Sequence, residues 1–160
     1  MDLLRIKLYI LTKGWLNMRI MPMLESQKLN TSVVLNILCM DEAELDDSWQ
    51  GDNYSLPFNR VYLVEEGSGL LGIDEHEVPM KQGMAYLVPA GVPLRYRCDG
   101  YMKKIYLHFN LLRQDRYDLL DGFRRIGVAQ LPPDFSEKMR IYGARNNAEA
   151  VLKIRQLLYD

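Results

Sequence analysis

Between Gly83 and Tyr96 the chain reads GMAYLVPAGVPLRY, two strand-like runs joined by Pro-Ala-Gly-Val-Pro. Apolar and β-branched residues at close spacing favour extended chain, and a proline corner next to a glycine turns its direction. The same punctuation recurs on both sides. VVLNILCM (33–40) reads as a strand, and FNRVYLVEE as another that stops at the turn signal Gly67-Ser68-Gly69. LLGID and EVPMK flank Glu75-His76 as a hairpin, and DGYMKKIYLHFNLL turns at Asp99-Gly100 before running out along a further strand. Short strands at close, even spacing with Gly and Pro between them predict a β-sandwich or small barrel over residues 31–112. The acidic stretch containing Asp41, Glu42, Glu44, Asp46 and Asp47 is read as a solvated loop, since its spacing fits no calcium loop.

The pattern changes after Asn110, and residues 113–160 are read as a helical segment. RQDRYDLLDGFRRIG has a helical spread of Tyr117, Leu120 and Phe123. PPDFSEKMRIYG offers Asp134 as N-cap with Glu137 three residues on, a capping box. NNAEAVLKIRQLLYD puts Val151, Ile154 and Leu158 on one face with Leu157 beside them. The fold class expected is therefore mainly β, followed by two or three α-helices.

Residues 1–30 are set apart as an N-terminal arm. Arg5, Lys7, Lys13 and Arg19 interrupt its apolar stretches, so no run approaches the ~20 residues of a membrane span. The uncharged stretch from Leu8 to Thr12 is also shorter than a signal-peptide core of ~7–15 residues. No membrane partner is expected, and the expected location is cytoplasmic. Cys39 and Cys98 then read as reduced thiols. With 20 basic and 21 acidic residues the chain lacks the basic surplus of a nucleic-acid-binding domain. Any specific DNA contact is expected to need a further domain.

GMAYLVPAGVPL resembles the second conserved motif of the cupins: Gly, five residues, Pro, any residue, Gly, two residues, then His. Gly83, Pro89 and Gly91 match, and Leu94 stands at the histidine's position. The wider run resembles the N-terminal sensor domain of AraC-type transcriptional regulators. There a strand ends in Gly-x-Gly, here Gly67 and Gly69, and the last strand closes on an aromatic-x-His-Phe signature, here Tyr106, His108 and Phe109. The resemblance implies a cupin-type double-stranded β-helix, or jelly-roll barrel, that binds a small-molecule effector, with a sugar favoured. It also implies a homodimer formed through the last helices, with Val151, Ile154, Leu157 and Leu158 as candidate pairing residues. DNA would be reached only through a helix-turn-helix domain of roughly 100 residues beyond Asp160.

The resemblance also orients the strands, because residues two apart share a face. Carried over, its register turns Leu94 and Tyr96 into the lumen and Arg95 and Arg97 outward. Leucine offers no lone pair, the other cupin ligands are missing, and only His76 and His108 occur as histidines. No metal, cofactor or catalytic residue is expected. Along MKKIYLHF, Lys104, Tyr106 and His108 alternate with Ile105, Leu107 and Phe109, so the polar set is read as lining the lumen. Tyr96, Tyr106, His108, Leu94, Lys104, Trp49 and Tyr62 form the candidate ligand site. Trp49 caps the opening or plugs the core. Arg60 shares a face with Tyr62, and a buried arginine there would need an anionic partner. Two alternatives stand beside the sensor. One is a metal-free cupin isomerase or lyase with His108 as base; the other is a ligand-free dimerisation barrel filled by Met84, Leu94 and Tyr96.

Overall fold

The computed structural model describes residues 33–113, 115–145 and 147–159, so the N-terminal arm lies outside the described residues. Among the described residues seven strands precede two helices: β1 Val34–Asp46, β2 Gln50–Tyr54, β3 Asn59–Ile73, β4 His76–Lys81, β5 Met84–Val88, β6 Leu94–Leu112 and β7 Gly127–Gln130. The helices are α1, Phe135–Gly143, and α2, Ala148–Tyr159. The mainly β class with helices at the C-terminal end is the one the sequence predicts.

The strands form one sheet in the order β1-β6-β3-β5-β7, with β2 added on β6 and β4 on β3. Every pair is antiparallel. Two strands are long: β3 has 15 residues and β6 has 19. The first part of β6 pairs with β2 and the end of β3, and its second part pairs with β1 and the start of β3. One face carries a core that includes Tyr62, Val64, Leu71, Met80, Leu94 and Met102. The other face carries Leu63, Ile105, Leu107 and Phe109, over which α1 and α2 lie.

Two expected turns are bends inside strands. Gly67-Ser68-Gly69 lies within β3, where the register against β6 shifts between Val64 and Glu66 and again between Gly67 and Gly69. Asp99-Gly100 lies within β6. Gly67 and Gly100 have φ of 75° and 80°, the left-handed region. A bulge needs such a residue as much as a turn does, so glycine marks both alike. The acidic run is likewise strand and not loop: Asp41 to Asp46 continue β1, with Glu44 opposite Lys103 and Ala43 opposite Lys104. Leu45 packs into the core from this stretch. The β3–β4 hairpin turns one residue earlier than expected, at Asp74-Glu75, with Ile73 opposite His76.

The helix expected around Tyr117 does not form. Asp118 takes the local N–H groups instead, accepting from Leu111 at 3.0 Å through Oδ2 and from Leu120 at 2.8 Å through Oδ1. Its Oδ2 also accepts from Asn59 Nδ2 at 2.7 Å. An aspartate that satisfies nearby N–H groups competes with helix, and Gly122 at φ 76° ends any remaining run. After it, β7 adds to the sheet beside β5. Asn59 is fully buried and also accepts from the Ala90 N–H at 2.9 Å, so it ties the Pro89–Gly91 corner to the Asp118 turn.

Asp134 does precede α1, but its side chain makes no capping bond and pairs with Lys138 one turn on. Asn147 caps α2, its Oδ1 accepting from the Ala150 N–H at 2.8 Å. Asn147→Ala should lower stability by about 1 kcal/mol in chemical denaturation, the usual cost of a lost N-cap.

Candidate functional site

Cross-strand partners share a face, and this builds the site row by row. On the inner face, Arg60 of β3 sits opposite His108 of β6 and Val88 of β5, and Tyr62 sits opposite Tyr106 and Tyr86. Val64 is opposite Lys104. Strand β1 adds Cys39 beside His108 and Asp41 beside Tyr106. Two rows of polar and aromatic groups thus border the apolar part of the interior, where Leu94 and Met102 are fully buried.

Lys104 is 3% exposed, and its ammonium nitrogen lies 3.7 Å from the Trp49 ring centre and 3.8 Å from that of Tyr62. The two rings stand edge to face at 6.2 Å, and Tyr96 lies 4.5 Å from Trp49. Trp49 reaches this position because a backbone turn after Asp46 carries it back over the sheet, where its carbonyl accepts from the Cys98 N–H. Aromatic faces attract the cation, but they do not replace water or a counter-ion fully. Burial, and then the charge of Arg60, lower the Lys104 pKa to about 7.

Arg60 is 1% exposed, and its Nε and Nη2 are buried without a hydrogen-bond partner. Its guanidinium carbon lies 5.8 Å from the Tyr54 ring centre, and Tyr54 in turn meets Tyr96 edge to face at 5.8 Å. Among the described residues no carboxylate forms an ion pair with Arg60 or Lys104. Asp41, on the same face, is exposed and accepts from the Glu42 N–H. His108 lies between the Phe58 and Tyr106 rings, at 4.7 and 5.2 Å, with Nδ1 3.1 Å from Cys39 Sγ. Burial lowers its pKa, and the Arg60 and Lys104 charges lower it further. Burial raises the Tyr62 phenol, opposed by Arg60.

Of the candidate ligand residues, Trp49, Tyr62, Tyr96 and Lys104 meet in one cluster, with Tyr106 and His108 in the neighbouring rows. Leu94 is fully buried in the apolar core that also includes Tyr62 and against which Trp49, Tyr96 and Tyr106 pack. Four further residues belong to the site. Arg60 carries its second charge, Tyr54 and Phe58 border it, and Cys39 touches His108. Arg60 had a signal in the sequence, a lone cation in the apolar strand NRVYLV two residues before Tyr62; Tyr54, Phe58 and Cys39 had none. Beside this cluster an open cleft of about 360 Å³ is bordered by Gln50, Gly51, Leu70, Glu77, Arg95 and Tyr96, and neither Arg60 nor Lys104 lines it. Among the described residues no three His, Cys, Asp or Glu side chains come together to hold a metal ion.

The candidate pairing residues divide. Ile154 is 5% exposed and packs with Leu63, Ile105 and Met139, and Leu157 and Leu158 join the same contact. Val151 stays on the outer surface beside Leu152. No helix among the described residues is long and apolar enough to cross a membrane.

No protein-family model and no curated protein matches the chain. It is similar to several solved structures. The EutQ protein of Clostridium difficile shares 18% identity over 51% of this chain and 71% of that one, with a TM-score of 0.40. A cupin-2 domain containing protein from Shewanella frigidimarina shares 13% over 46% and 78%, with a TM-score of 0.37. An RmlC-like cupin family protein from Methanocaldococcus jannaschii with a double-stranded β-helix fold shares 12% over 51% and 84%, with a TM-score of 0.39. At this overlap they carry no inference about a ligand or an activity, and the description of the sheet rests on its own strand order.

Proposed function

We propose that this chain is the effector-binding domain of an AraC-type transcriptional regulator, a cupin-like barrel that holds a small molecule inside the sheet. The supporting observation is the cluster of Trp49, Tyr62 and Tyr96 around Lys104. Flat aromatic faces beside a few polar groups suit a ring-shaped, polar ligand such as a carbohydrate, with the faces stacking and the polar groups fixing orientation. The effector would act on DNA through a linked helix-turn-helix region and a homodimer, by binding one arrangement of the whole protein more tightly than the other.

Thermal unfolding against a panel of sugars, sugar acids and small aromatic acids tests the reading. A ligand at 100 times its dissociation constant adds about 2.7 kcal/mol, a visible rise in midpoint. Tyr96→Ala should abolish that rise. A panel without any effect would favour the ligand-free dimerisation barrel. One observation speaks for the metal-free enzyme instead: an amine with a pKa of about 7 is a competent base or nucleophile. Turnover of a compound that binds, lost in Lys104→Met, would replace the sensor with that enzyme.

A further inference from the structure

Arg60 and Lys104 are two cations inside one barrel, both nearly free of solvent, and both interact with Tyr62. A buried charge without a partner is costly, and proteins normally give it a counter-ion or neutralise it. Lysine can shed its proton; arginine cannot. The folded chain therefore holds at least one permanent positive charge that no described carboxylate answers. A partner from outside the described chain would complete this site.

Geometry narrows what it is. The two unpartnered nitrogens of Arg60 are Nε and Nη2, which form one edge of the guanidinium. Two parallel N–H groups on that edge match the two oxygens of a carboxylate. Lys104 supplies a second positive charge, and the Trp49, Tyr62 and Tyr96 rings supply flat apolar walls. Resting on the effector-binding reading above, we infer that the ligand of this barrel is a ring compound bearing a carboxylate, a sugar acid or a small aromatic acid, seated on the Nε–Nη2 edge of Arg60 and drawn to Lys104. The neutral sugar that the family resemblance favours would leave both cations uncompensated.

The site also couples binding to protons. A bound carboxylate favours protonated Lys104, so its pKa must rise on binding from about 7 in the free protein. Affinity is then highest below pH 7 and falls by up to about tenfold per pH unit above it, until the bound-state pKa is reached. His108 and Tyr106 face the same space, with Asp41 and Cys39 at its β1 side. The His108 pKa is lowered, and those of Tyr106, of Tyr62 and of the Cys98 thiol that acts on Lys104 are raised, so none of these groups has its midpoint between pH 7 and 9.

Matched probes on the purified chain decide it, read by calorimetry and thermal shift: D-galacturonate against D-galactose, benzoate against benzamide, and inorganic phosphate. At least one acid should bind while its neutral match does not. Its affinity should fall between pH 7 and 9 in the wild type and stay flat over that range in Lys104→Met. Arg60→Met should lower the affinity by roughly 100-fold or more, and Arg60→Lys, which keeps a charge but loses the edge, by at least about tenfold. The pH slope needs no variant, so a misfolded Arg60→Met would not blunt the test. Neutral compounds binding as well as their acids would overturn the carboxylate and leave the effector domain standing. Phosphate binding without either acid would do the same. Failure of every probe, acids and sugars alike, would overturn both.

Discussion

Lys104→Met should make the protein more stable at pH 7, although it removes an ammonium group that contacts Trp49 and Tyr62. The physical reason is the distance between two protonation equilibria. In the unfolded chain this lysine titrates near 10.5; in the fold, burial and the Arg60 charge bring it to about 7. Below pH 7 both states are protonated and the fold bears the whole penalty. Between about pH 7 and 10.5 the unfolded chain binds the extra proton, so wild-type stability rises with pH. Above that range the penalty is gone. The span from 10.5 to about 7 corresponds to roughly 5 kcal/mol. Methionine is close to lysine in volume and carries no charge, so Lys104→Met should gain about that amount at pH 6 and little at pH 10.5. For a chain of this length the midpoint should rise by roughly 10 °C at pH 6. Urea titrations of both proteins at pH 6, 8 and 10 measure it. Equal stabilities at pH 6 would mean that the Lys104 charge is already compensated in the fold. A buried cation that weakens the fold and serves a ligand is the ordinary conflict between stability and function.

The second large effect concerns a glycine. Gly67→Ala should destabilise the protein by roughly 3 kcal/mol or more, whereas Gly83→Ala should cost about 1 kcal/mol. Both glycines have positive φ, 75° and 78°. Around Gly83 there is open space within 4 Å. At Gly67 a Cβ would sit on the Tyr101 carbonyl oxygen of the neighbouring strand and 2.9 Å from the Met102 Cα. Those are backbone atoms, so the collision can be relieved only by moving β6 away from β3. Urea titration of the two variants compares them directly. Similar losses would mean that residues 67–69 form the free turn that Gly-Ser-Gly predicts, and not a bulge in a continuous strand.

These two sites show what was readable in advance. The alternation of Lys104, Tyr106 and His108 with Ile105, Leu107 and Phe109 divides the strand into two faces, because side-chain direction in a strand has period two. The structure sets these triads on opposite sides of the sheet. Gly67, Gly100 and the acidic run were read as breaks, yet all lie inside strands. A single sequence records that a residue tolerates a left-handed backbone or solvent; it does not record whether the next strand is already in place to continue the ladder. The Tyr117 segment went the same way. Its helical spacing is real, but Asp118 is needed by Asn59, and that contact spans 59 residues of sequence.

The sequence by itself determined the class and the limits: short strands with Gly and Pro corners, helices at the C-terminal end, a leucine where a cupin ligand would stand, and no basic surplus for DNA. Local propensity and periodicity carry such information without any partner. Only the tertiary structure decided that Arg60 and Lys104 share one interior, that Trp49 folds back onto them, and that Ile154 packs on its own sheet. Charge burial depends on what surrounds a residue from distant strands. The unanswered edge of Arg60 is a property of that assembled surrounding, and no stretch of sequence displays it.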